Sequence, residues 1–464
     1  MAVEKYQNLI IGSGAGGKLL SWHLAESGQR TAVVERKWIG GSCPNVNCLP
    51  SKNEIWSAHA ADILHHAEKF GIKGGFGPID MSVVRQRKRQ MVDELIAIHV
   101  EKYKASGAEL IMGQATFTAR NTVEVRLNAG GTRTLFGDRV FINVGTRAVI
   151  PPVPGLRDSK PMSNIELLEL DYLPQHLIVI GGGYVGVEFA QAYRRFGSKV
   201  TIIERGPHLI GTQDADVSAE ITRTLAREGV AVAAPAEIVS VEGQSGRQVK
   251  IVIKSPSGGQ TISGSDILVA AGRTPNTDGI GLDLTGVELD SRGFVKVDNQ
   301  LRASAPNVWA IGECAGSPQF THVSEDDFRV IRDNLEGQNH TTRGRLIPYC
   351  LFTEPQLAQV GLNETEARQR NIPYEVFKVP TSSILRTHTT DQPDGFLKTL
   401  IDPSSGQILG FTMIGSEAGE VMTTVQIAML GHLPYTVLRD AIFTHPTMSE
   451  GLGNLYTSVK LPPR

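Results

Sequence analysis

The chain has few cysteines, little net charge and no long apolar run. Cysteine occurs 4 times in 464 residues, at positions 43, 48, 314 and 350. Four thiols cannot staple a chain of this length, which excludes a disulfide-built secreted scaffold. In a reducing compartment a close pair points instead to catalysis or metal binding. Lys+Arg number 46 against 48 Asp+Glu, a formal net charge of −2. No basic field exists to hold a phosphate backbone, so no nucleic-acid partner is expected. No stretch approaches the run of about 18 uncharged apolar residues that an ordinary membrane-spanning helix needs. The N-terminus, M-A-V-E-K-Y-Q-N-L-I-I-G, shows no apolar signal core with a small-residue cleavage site, and a cytoplasmic location is the expectation. Apolar residues at 41% and charged residues at 20% are near the globular average. At about 150 residues per domain the length implies about three domains.

Glycine is abundant, 49 residues, and its placement is ordered. Leu9-Ile10-Ile11 reads as a strand running into G-S-G-A-G-G, where Gly12, Gly14 and Gly17 satisfy G-x-G-x-x-G. A helical stretch and a second strand, Thr31 to Glu35, follow, so Glu35 stands 23 residues after Gly12. The pattern returns at Leu177 to Ile180, with Gly181, Gly183 and Gly186 in the motif and Glu204 again 23 residues on. Even the next residues match, Arg36 and Arg205. The first glycine permits a tight turn, the second lets the backbone approach a pyrophosphate, and the third lets helix and strand pack closely. The helix N-terminus offers unpaired N–H groups, and the carboxylate accepts from ribose hydroxyls. One copy alone is also what an ordinary ligand-free βα turn looks like; two copies with equal spacing point to two dinucleotide sites. FAD plus a nicotinamide nucleotide, with electrons passing between them, is the reading. The Glu204 carboxylate repels a 2′-phosphate, which favours NADH over NADPH, while Arg195 and Arg205 are candidates to oppose that preference.

The rest of the chain reads coarsely. Residues 51–69 and 81–106 have helical patterns, and Arg85, Arg87, Lys88 and Arg89 read as a solvated helix face. Residues 109–144 hold short strands, read as an excursion within the first domain. Pro151 to Gly155 is a linker. From about 343 onward strands and helices alternate as a third unit.

Between the first repeat and the next helix lies G-G-S-C-P-N-V-N-C-L-P-S-K, with Cys43 and Cys48 five residues apart. In a regular helix five residues rise about 7.5 Å, beyond the roughly 4.4–6.8 Å that a disulfide allows between Cα atoms. A bridge therefore needs a loop or a distorted turn, which Pro44 and Pro50 suit. A thiol at the front of the following helix sits in positive potential, which favours the thiolate. A structural bridge and half of a metal site are the alternatives; no second Cys or His pair stands at zinc spacing, so no resident metal is expected.

This stretch resembles the redox-active disulfide of the pyridine nucleotide–disulfide oxidoreductases, whose usual form is G-G-T-C-x-N-x-G-C-x-P-S-K. The family includes dihydrolipoyl dehydrogenase, glutathione reductase and mercuric reductase. The likeness runs through nearly the whole chain in order. It takes in Gly145-Thr146, Gly272-Arg273-Thr274-Pro275-Asn276, Ala310-Ile311-Gly312-Glu313 and His445-Pro446-Thr447-Met448-Ser449-Glu450. It implies an α/β fold of two Rossmann-like FAD- and NAD(P)-binding domains plus a C-terminal α+β dimerisation domain. The boundaries expected are 1–150 completed by 273–342 for FAD, 151–272 for NAD(P), and 343–464 for dimerisation.

The resemblance also implies roles. Cys43 and Cys48 form the redox-active disulfide, with Cys48 on the flavin side and Cys43 exchanging with substrate. Lys52 and Glu188 match the ion pair beside the flavin. His445 is the acid–base group oriented by Glu450, and it reaches the disulfide of the opposite subunit of a homodimer. Gly12, Gly14, Gly17, Glu35, Arg36, Lys52, Gly145, Thr146, Gly312 and Glu313 are candidate cofactor-binding residues, as are Gly181, Gly183, Gly186, Glu204, Gly272 and Arg273. Proton supply to departing thiolates is work that His suits, and a carboxylate on the other ring nitrogen fixes its tautomer.

Asn47 stands where the family has glycine, and Glu313 where it has aspartate. Cys314 reads as a small buried apolar residue without a role. Ser51-Lys52 resembles dihydrolipoyl dehydrogenase and mercuric reductase more than glutathione reductase. The stretch Pro318 to Asp327 resembles a mercuric-reductase-like branch that also includes reactive-chlorine-resistance flavoproteins. Mercuric reductase proper has a C-terminal cysteine pair, whereas this tail is S-V-K-L-P-P-R. The expectation is an FAD-dependent NAD(P)H:disulfide oxidoreductase acting on a small disulfide or dithiol of the dihydrolipoamide kind. A metal-ion or oxidant reductase, hypothiocyanite being one such oxidant, is the nearest rival. A flavin redox sensor or complex-docking subunit is the reading of another class.

Overall fold

The computed structural model describes residues 3–74 and 77–461. The first two residues of the N-terminal stretch and the last three of the tail lie outside the described residues. Among the described residues no helix is long and apolar enough to cross a membrane.

The fold is mixed α/β with three sheet systems. In the first, Val3–Ile11 lies between the parallel strands Thr31–Glu35 and Thr132–Ile142. Glu109–Ala119 adds outside Thr31–Glu35, and Val308–Ala310 outside Thr132–Ile142, both parallel. Leu9, Ile10 and Ile11 are buried, as expected of a parallel strand covered on both faces. Residues 109–144 differ from the sequence reading. All three of their strands belong to the first sheet itself, two of them 11 residues long. Thr122–Leu127 lies antiparallel to both. Glycine and asparagine punctuation marks where a strand turns, and says nothing of which sheet the strand joins.

The second system repeats the first. His176–Ile180 is flanked in parallel by Lys199–Ile203 and Asp266–Val269, with Ala231–Ala233 beyond. A three-stranded antiparallel sheet, residues 237–264, is added to it. The two glycine turns are superimposable in kind. Gly12 has φ +99°, and a Cβ there would lie 2.3 Å from the Asn143 carbonyl oxygen. Gly181 has φ +109°, with its Cβ 2.5 Å from the Ala270 carbonyl oxygen. In each unit the end of the neighbouring parallel strand presses on the turn, so only glycine fits. Thr146–Ala148 pairs antiparallel with Arg273–Pro275, where the chain crosses between the units.

The third system is a five-stranded antiparallel sheet of residues 349–415. It is covered by the helices Ala418–Leu430 and Glu450–Thr457 around Phe411, Met413, Leu397, Val425 and Tyr456. Ile427, Leu430, Val437 and Ile442 remain exposed on this unit.

The basic cluster is a solvated face only in part: Arg87 and Arg89 are exposed, and Lys88 is not. Lys88 is fully buried; its Nζ donates to the Leu168 carbonyl and reaches Glu169 Oε1 at 2.5 Å. Arg85 pairs with Asp171 at 2.9 Å, and Arg89 with Glu169. The Met81–Ser106 helix is thereby clamped to residues 168–171. A charge run on a helix carries no sign of which acids fold against it.

A second ionic hub joins the second and third units. Lys398 Nζ, 1% exposed, contacts Asp214 at 2.8 Å, Asp216 at 2.9 Å and Glu364 at 3.1 Å. These three carboxylates stand close together, and the cation they surround is the lysine. Asp214 also accepts the backbone N–H groups of Glu364 and Thr365. Lys398→Met would leave the buried Asp214 without its cation, while Asp216 keeps Lys378 at 2.7 Å; breaking a buried pair typically costs about 3–5 kcal/mol. The expected result is a lower urea midpoint for the variant; an unchanged midpoint would show that the hub contributes nothing net.

Candidate active site

The first glycine turn opens on a cleft. Gly12, Gly14, Glu35, Arg36, Gly145, Thr146, Glu313 and Cys43 all line it. The helix Ala15–Glu26 starts there from Gly14, which offers no capping side chain; of its first N–H groups, that of Gly16 donates to Ser324 Oγ at 3.1 Å. Gly17 lies outside the cleft. Its N–H donates to Asn143 Oδ1 at 3.1 Å, the close helix–strand packing expected of the third glycine. Asn143 escaped the sequence reading. It is buried, and its Nδ2 donates to the Ile311 carbonyl at 2.8 Å, so it ties Gly17 to the 310–313 turn. A polar residue ending the apolar run Val140-Phe141-Ile142 was the available signal.

The Glu35 carboxylate is held rigidly. It accepts from Ser13 N at 2.9 Å, Ser13 Oγ at 2.8 Å, Lys37 N at 2.8 Å and Trp38 N at 3.0 Å. Glu313 accepts from the Thr146 hydroxyl and from Arg273 Nε at 3.2 Å. Arg273 also donates to Thr146 Oγ1 at 2.6 Å, so it belongs to this first cleft. The Gly312 N–H donates to Asp327 at 2.7 Å, and that buried acid is paired with Arg345. A glycine-lined turn, an uncapped helix start, a fixed acid and a long cleft fit a dinucleotide with an extended ring system.

Cys43 lies in the single turn Ser42–Asn45, and Cys48 opens the helix Cys48–His65. The helix breaks between them, as a pair spaced by five requires. Both are free, half-buried thiols, and each acts on the other's ionisation. Asn47 sits in the break with φ −126° and ψ −103°, and its Oδ1 accepts from Asn164 Nδ2 at 2.8 Å.

Cys48 Sγ lies 3.3 Å from Thr321 Oγ1. Lys52, one turn along the helix, reaches Glu188 at 2.7 Å. The Glu188 carboxylate also accepts from Phe352 N at 2.9 Å. The Cys48 thiol is pushed down to about 6, first by the hydrogen bond from Cys43, then by Thr321 and the Lys52 charge, against its burial. Cys43 is pushed up by the same hydrogen bond and by burial. Thiolate therefore forms first at Cys48, where the helix start adds positive potential.

In the second unit the Gly186 backbone packs on Gly181, leaving no room for a Cβ, and Gly183 has open space. The helix Tyr184–Phe196 again lacks a side-chain cap. Glu204 accepts from Gly182 N at 2.7 Å and Gly206 N at 2.5 Å. Gly272 has φ +109° and nothing near its Cβ position. Arg205 is exposed. Arg195 is not available to a phosphate, because it is buried against Glu228 at 2.9 Å, Glu354 and Asp62.

His445 Nδ1 stands 2.9 Å from Glu450 Oε1, and Glu450 Oε2 accepts from Thr447 N at 3.1 Å. The imidazole is 62% exposed. Its hydrogen-bond partner is Glu450, while Cys43 and Cys48 of its own chain lie elsewhere. The Glu450 carboxyl is held below its usual range by His445. Cys314 is buried in the first core.

The chain matches the family model "Pyridine nucleotide-disulphide oxidoreductase" over residues 6–327 and the "Pyridine nucleotide-disulphide oxidoreductase, dimerisation domain" over 347–456. It is similar to the probable pyridine nucleotide-disulfide oxidoreductase RclA of Escherichia coli, 33% identical over 464 residues, covering 99% of this chain and 100% of that protein. It is also similar to the dihydrolipoyl dehydrogenase of Mycobacterium tuberculosis, 32% identical over 451 residues, covering 96% of each. Among solved structures, the Cu(II) complex of the HOCl-induced flavoprotein disulfide reductase RclA from Escherichia coli matches with TM-score 0.89 at 33% identity. That match covers 99% of this chain and 100% of the other.

The thiol arrangement predicts a pH profile. In reduced protein, alkylation of Cys48 should titrate with a midpoint near 6 and slow as pH falls through it. Thr321→Val removes one stabilising hydroxyl and should move that midpoint upward. Peptide-resolved mass spectrometry checks both, and a midpoint at the ordinary thiol value of about 8.5 would refute the assignment.

Proposed function

The chain belongs to the pyridine nucleotide-disulphide oxidoreductase family and is a flavin-dependent disulfide oxidoreductase. On that premise we propose that Cys43 and Cys48 are its redox couple, NADH its preferred reductant, and a small disulfide or dithiol of the dihydrolipoamide kind its substrate. The observation that carries this reading is the pair of mutually coupled thiols at the edge of the first cleft, Cys43 lining it and Cys48 depressed beside Thr321, Lys52 and Glu188.

FAD, when bound, supplies two-electron transfer between the nicotinamide and the cysteine pair. The residues to hold it are Gly12, Gly14 and the Ala15–Glu26 helix start for the phosphates, Glu35 for a ribose, and Thr146 and Glu313 farther along the cleft. In the second unit Gly181, Gly183 and the Tyr184–Phe196 helix start receive the nicotinamide nucleotide. There Glu204 disfavours a 2′-phosphate, and burial of Arg195 removes one of the two cations that would favour it. Lys52, held by Glu188, keeps positive charge beside Cys48. Cys43 lines the cleft and exchanges with substrate.

His445, fixed by Glu450 and open to solvent, moves protons at the thiols of a second copy. The dimerisation-domain match supports a homodimer, and the exposed Ile427, Leu430 and Ile442 suit such a contact. We place the domain limits at 1–150 with 273–342, 151–272 and 343–464, since Val308–Ala310 returns to the first sheet. The location we propose is cytoplasmic.

A second reading has its own support. The similar E. coli flavoprotein was solved as a Cu(II) complex and is described as HOCl-induced, and two close thiols are soft metal ligands. A turnover panel of lipoamide, glutathione disulfide, Cu(II), Hg(II) and hypothiocyanite with each nicotinamide separates the two. Lipoamide turnover is expected; near-zero lipoamide turnover beside rapid Cu(II) or hypothiocyanite turnover would replace the first reading with the second. Absence of multiple turnover on every substrate would point to a sensor or docking role.

Cys43→Ser and Cys48→Ser should each abolish disulfide reduction while leaving FAD bound. His445→Ala should slow the thiol half-reaction about 10²–10⁴-fold and leave reduction by NADH nearly unchanged in stopped-flow absorbance. Glu204→Ala should raise the NADPH/NADH ratio of kcat/KM.

A further inference from the structure

The two thiols do not share one cation. Lys52 serves Cys48, and the loop carrying Cys43 rests on a different pair of side chains. Gly40 and Gly41, at φ +86° and +82°, thread the chain through a narrow passage. A Cβ on Gly40 would lie 3.2 Å from the His99 ring, and one on Gly41 would lie 2.5 Å from Gly14 Cα. Ser42 and Cys43 follow directly. His99, buried in the Met81–Ser106 helix, has Nδ1 2.5 Å from the Leu95 carbonyl oxygen. That contact assigns the ring proton to Nδ1 and leaves Nε2 as an acceptor. Lys18 Nζ stands 2.7 Å from Nε2. Lys18 lies one turn beyond Gly14, its N–H bonded to the Gly14 carbonyl at 2.9 Å. Trp22 walls the pair, with its ring 5.9 Å from His99 and 6.0 Å from the Lys18 ammonium.

The charged and titratable groups facing Lys18 are His99 from one helix, Cys43 from the loop and Glu325 from the Thr321–Leu335 helix. Lys102 touches the far Trp22 ring and is paired with Glu26 at 2.8 Å. Burial draws the Lys18 ammonium below its usual range, while Cys43 and Glu325 oppose that. On Cys43, the Lys18 charge works against burial and against Cys48.

We propose that Lys18, aimed by His99, is the positioning cation of Cys43, a role that rests on the reading of Cys43 and Cys48 as the redox couple. In the open form Cys48 holds a thiolate and Cys43 a thiol. To react, Cys43 gives its proton to the His445 imidazole of a second copy and attacks one sulfur of a substrate disulfide. A Cys43–substrate S–S bond forms, the substrate S–S bond breaks, and the departing thiolate takes the proton back from the imidazolium. Cys48 then attacks the Cys43 sulfur, the internal bridge forms, and the second substrate thiolate leaves. The first step places a second negative charge next to the one on Cys48, and like charges disfavour it. Lys18 opposes that charge at Cys43, and its hydrogen bond to His99, whose ring packs against Gly40 three residues before Cys43, holds it toward that loop.

The test is peptide-resolved iodoacetamide alkylation of NADH-reduced, FAD-loaded protein, read as the rate at each thiol at one pH of about 8.5, because the Cys43 midpoint lies above the ordinary thiol range. Lys18→Gln should slow Cys43 alkylation about tenfold, the equivalent of about one pH unit, with the Cys48 rate unmoved. Lys18→Arg should restore most of the rate. His99→Gln should slow Cys43 by less. An unmoved Cys43 rate in FAD-loaded Lys18→Gln, or equal slowing of both thiols, overturns the proposal. If Lys18→Gln does not load FAD, His99→Gln decides, and an unmoved Cys43 rate there overturns it. Failure of the underlying reading looks different: Cys43→Ser would retain disulfide turnover, and mild oxidation of the wild type would give no Cys43–Cys48 bridge by mass.

Discussion

One carboxylate joins the three units at the place where the thiols sit. Glu188 projects from the helix of the second unit, accepts from Lys52 of the first and from the Phe352 N–H that begins the third. It is 6% exposed. A carboxylate that deep needs its hydrogen bonds met, and each of its partners comes from a different part of the chain. The Lys52 ammonium is thereby held near Cys48, and the positive potential at that sulfur follows from the docking of the units. The cysteine chemistry is a property of the assembled molecule more than of the loop that carries it.

The two nucleotide modules show how one local solution serves two purposes. Both turns depend on a glycine at positive φ pressed by a neighbouring strand, and both helices start without side-chain caps. Their acids differ in surroundings. Glu35 is bound by four donors within the first cleft. Glu204 is held through backbone N–H groups beside an exposed arginine. The proposed preference for NADH rests on that second arrangement, because burial of Arg195 in an ionic network leaves Glu204 with one fewer nearby positive charge to offset it.

The departures from the family pattern become intelligible at the level of side chains. Asn47 gains a contact from Asn164. Glu313, one methylene longer than aspartate, reaches Thr146 and Arg273. Neither adjustment is visible along the chain, since Asn164 and Arg273 are distant in sequence. The same reasoning covers Lys88, whose partner Glu169 lies across a domain boundary, and the strands of residues 109–144, whose sheet membership depends on non-local pairing.

What the sequence by itself determined was periodic and local: two strand–glycine–helix–strand units with matching acids, a cysteine pair spaced so that a helix must break, and a His–Glu couple five residues apart. Those features follow from steric rules acting over a few residues, so spacing reveals them. Only the tertiary structure decided which groups surround each thiol, which arginine is exposed, and that the Lys18–His99 pair packs against Gly40, three residues before Cys43. Charge, burial and hydrogen bonding act through space, and the groups that set them, Thr321 at Cys48 and Glu188 at Lys52, come from chain segments more than 100 residues away.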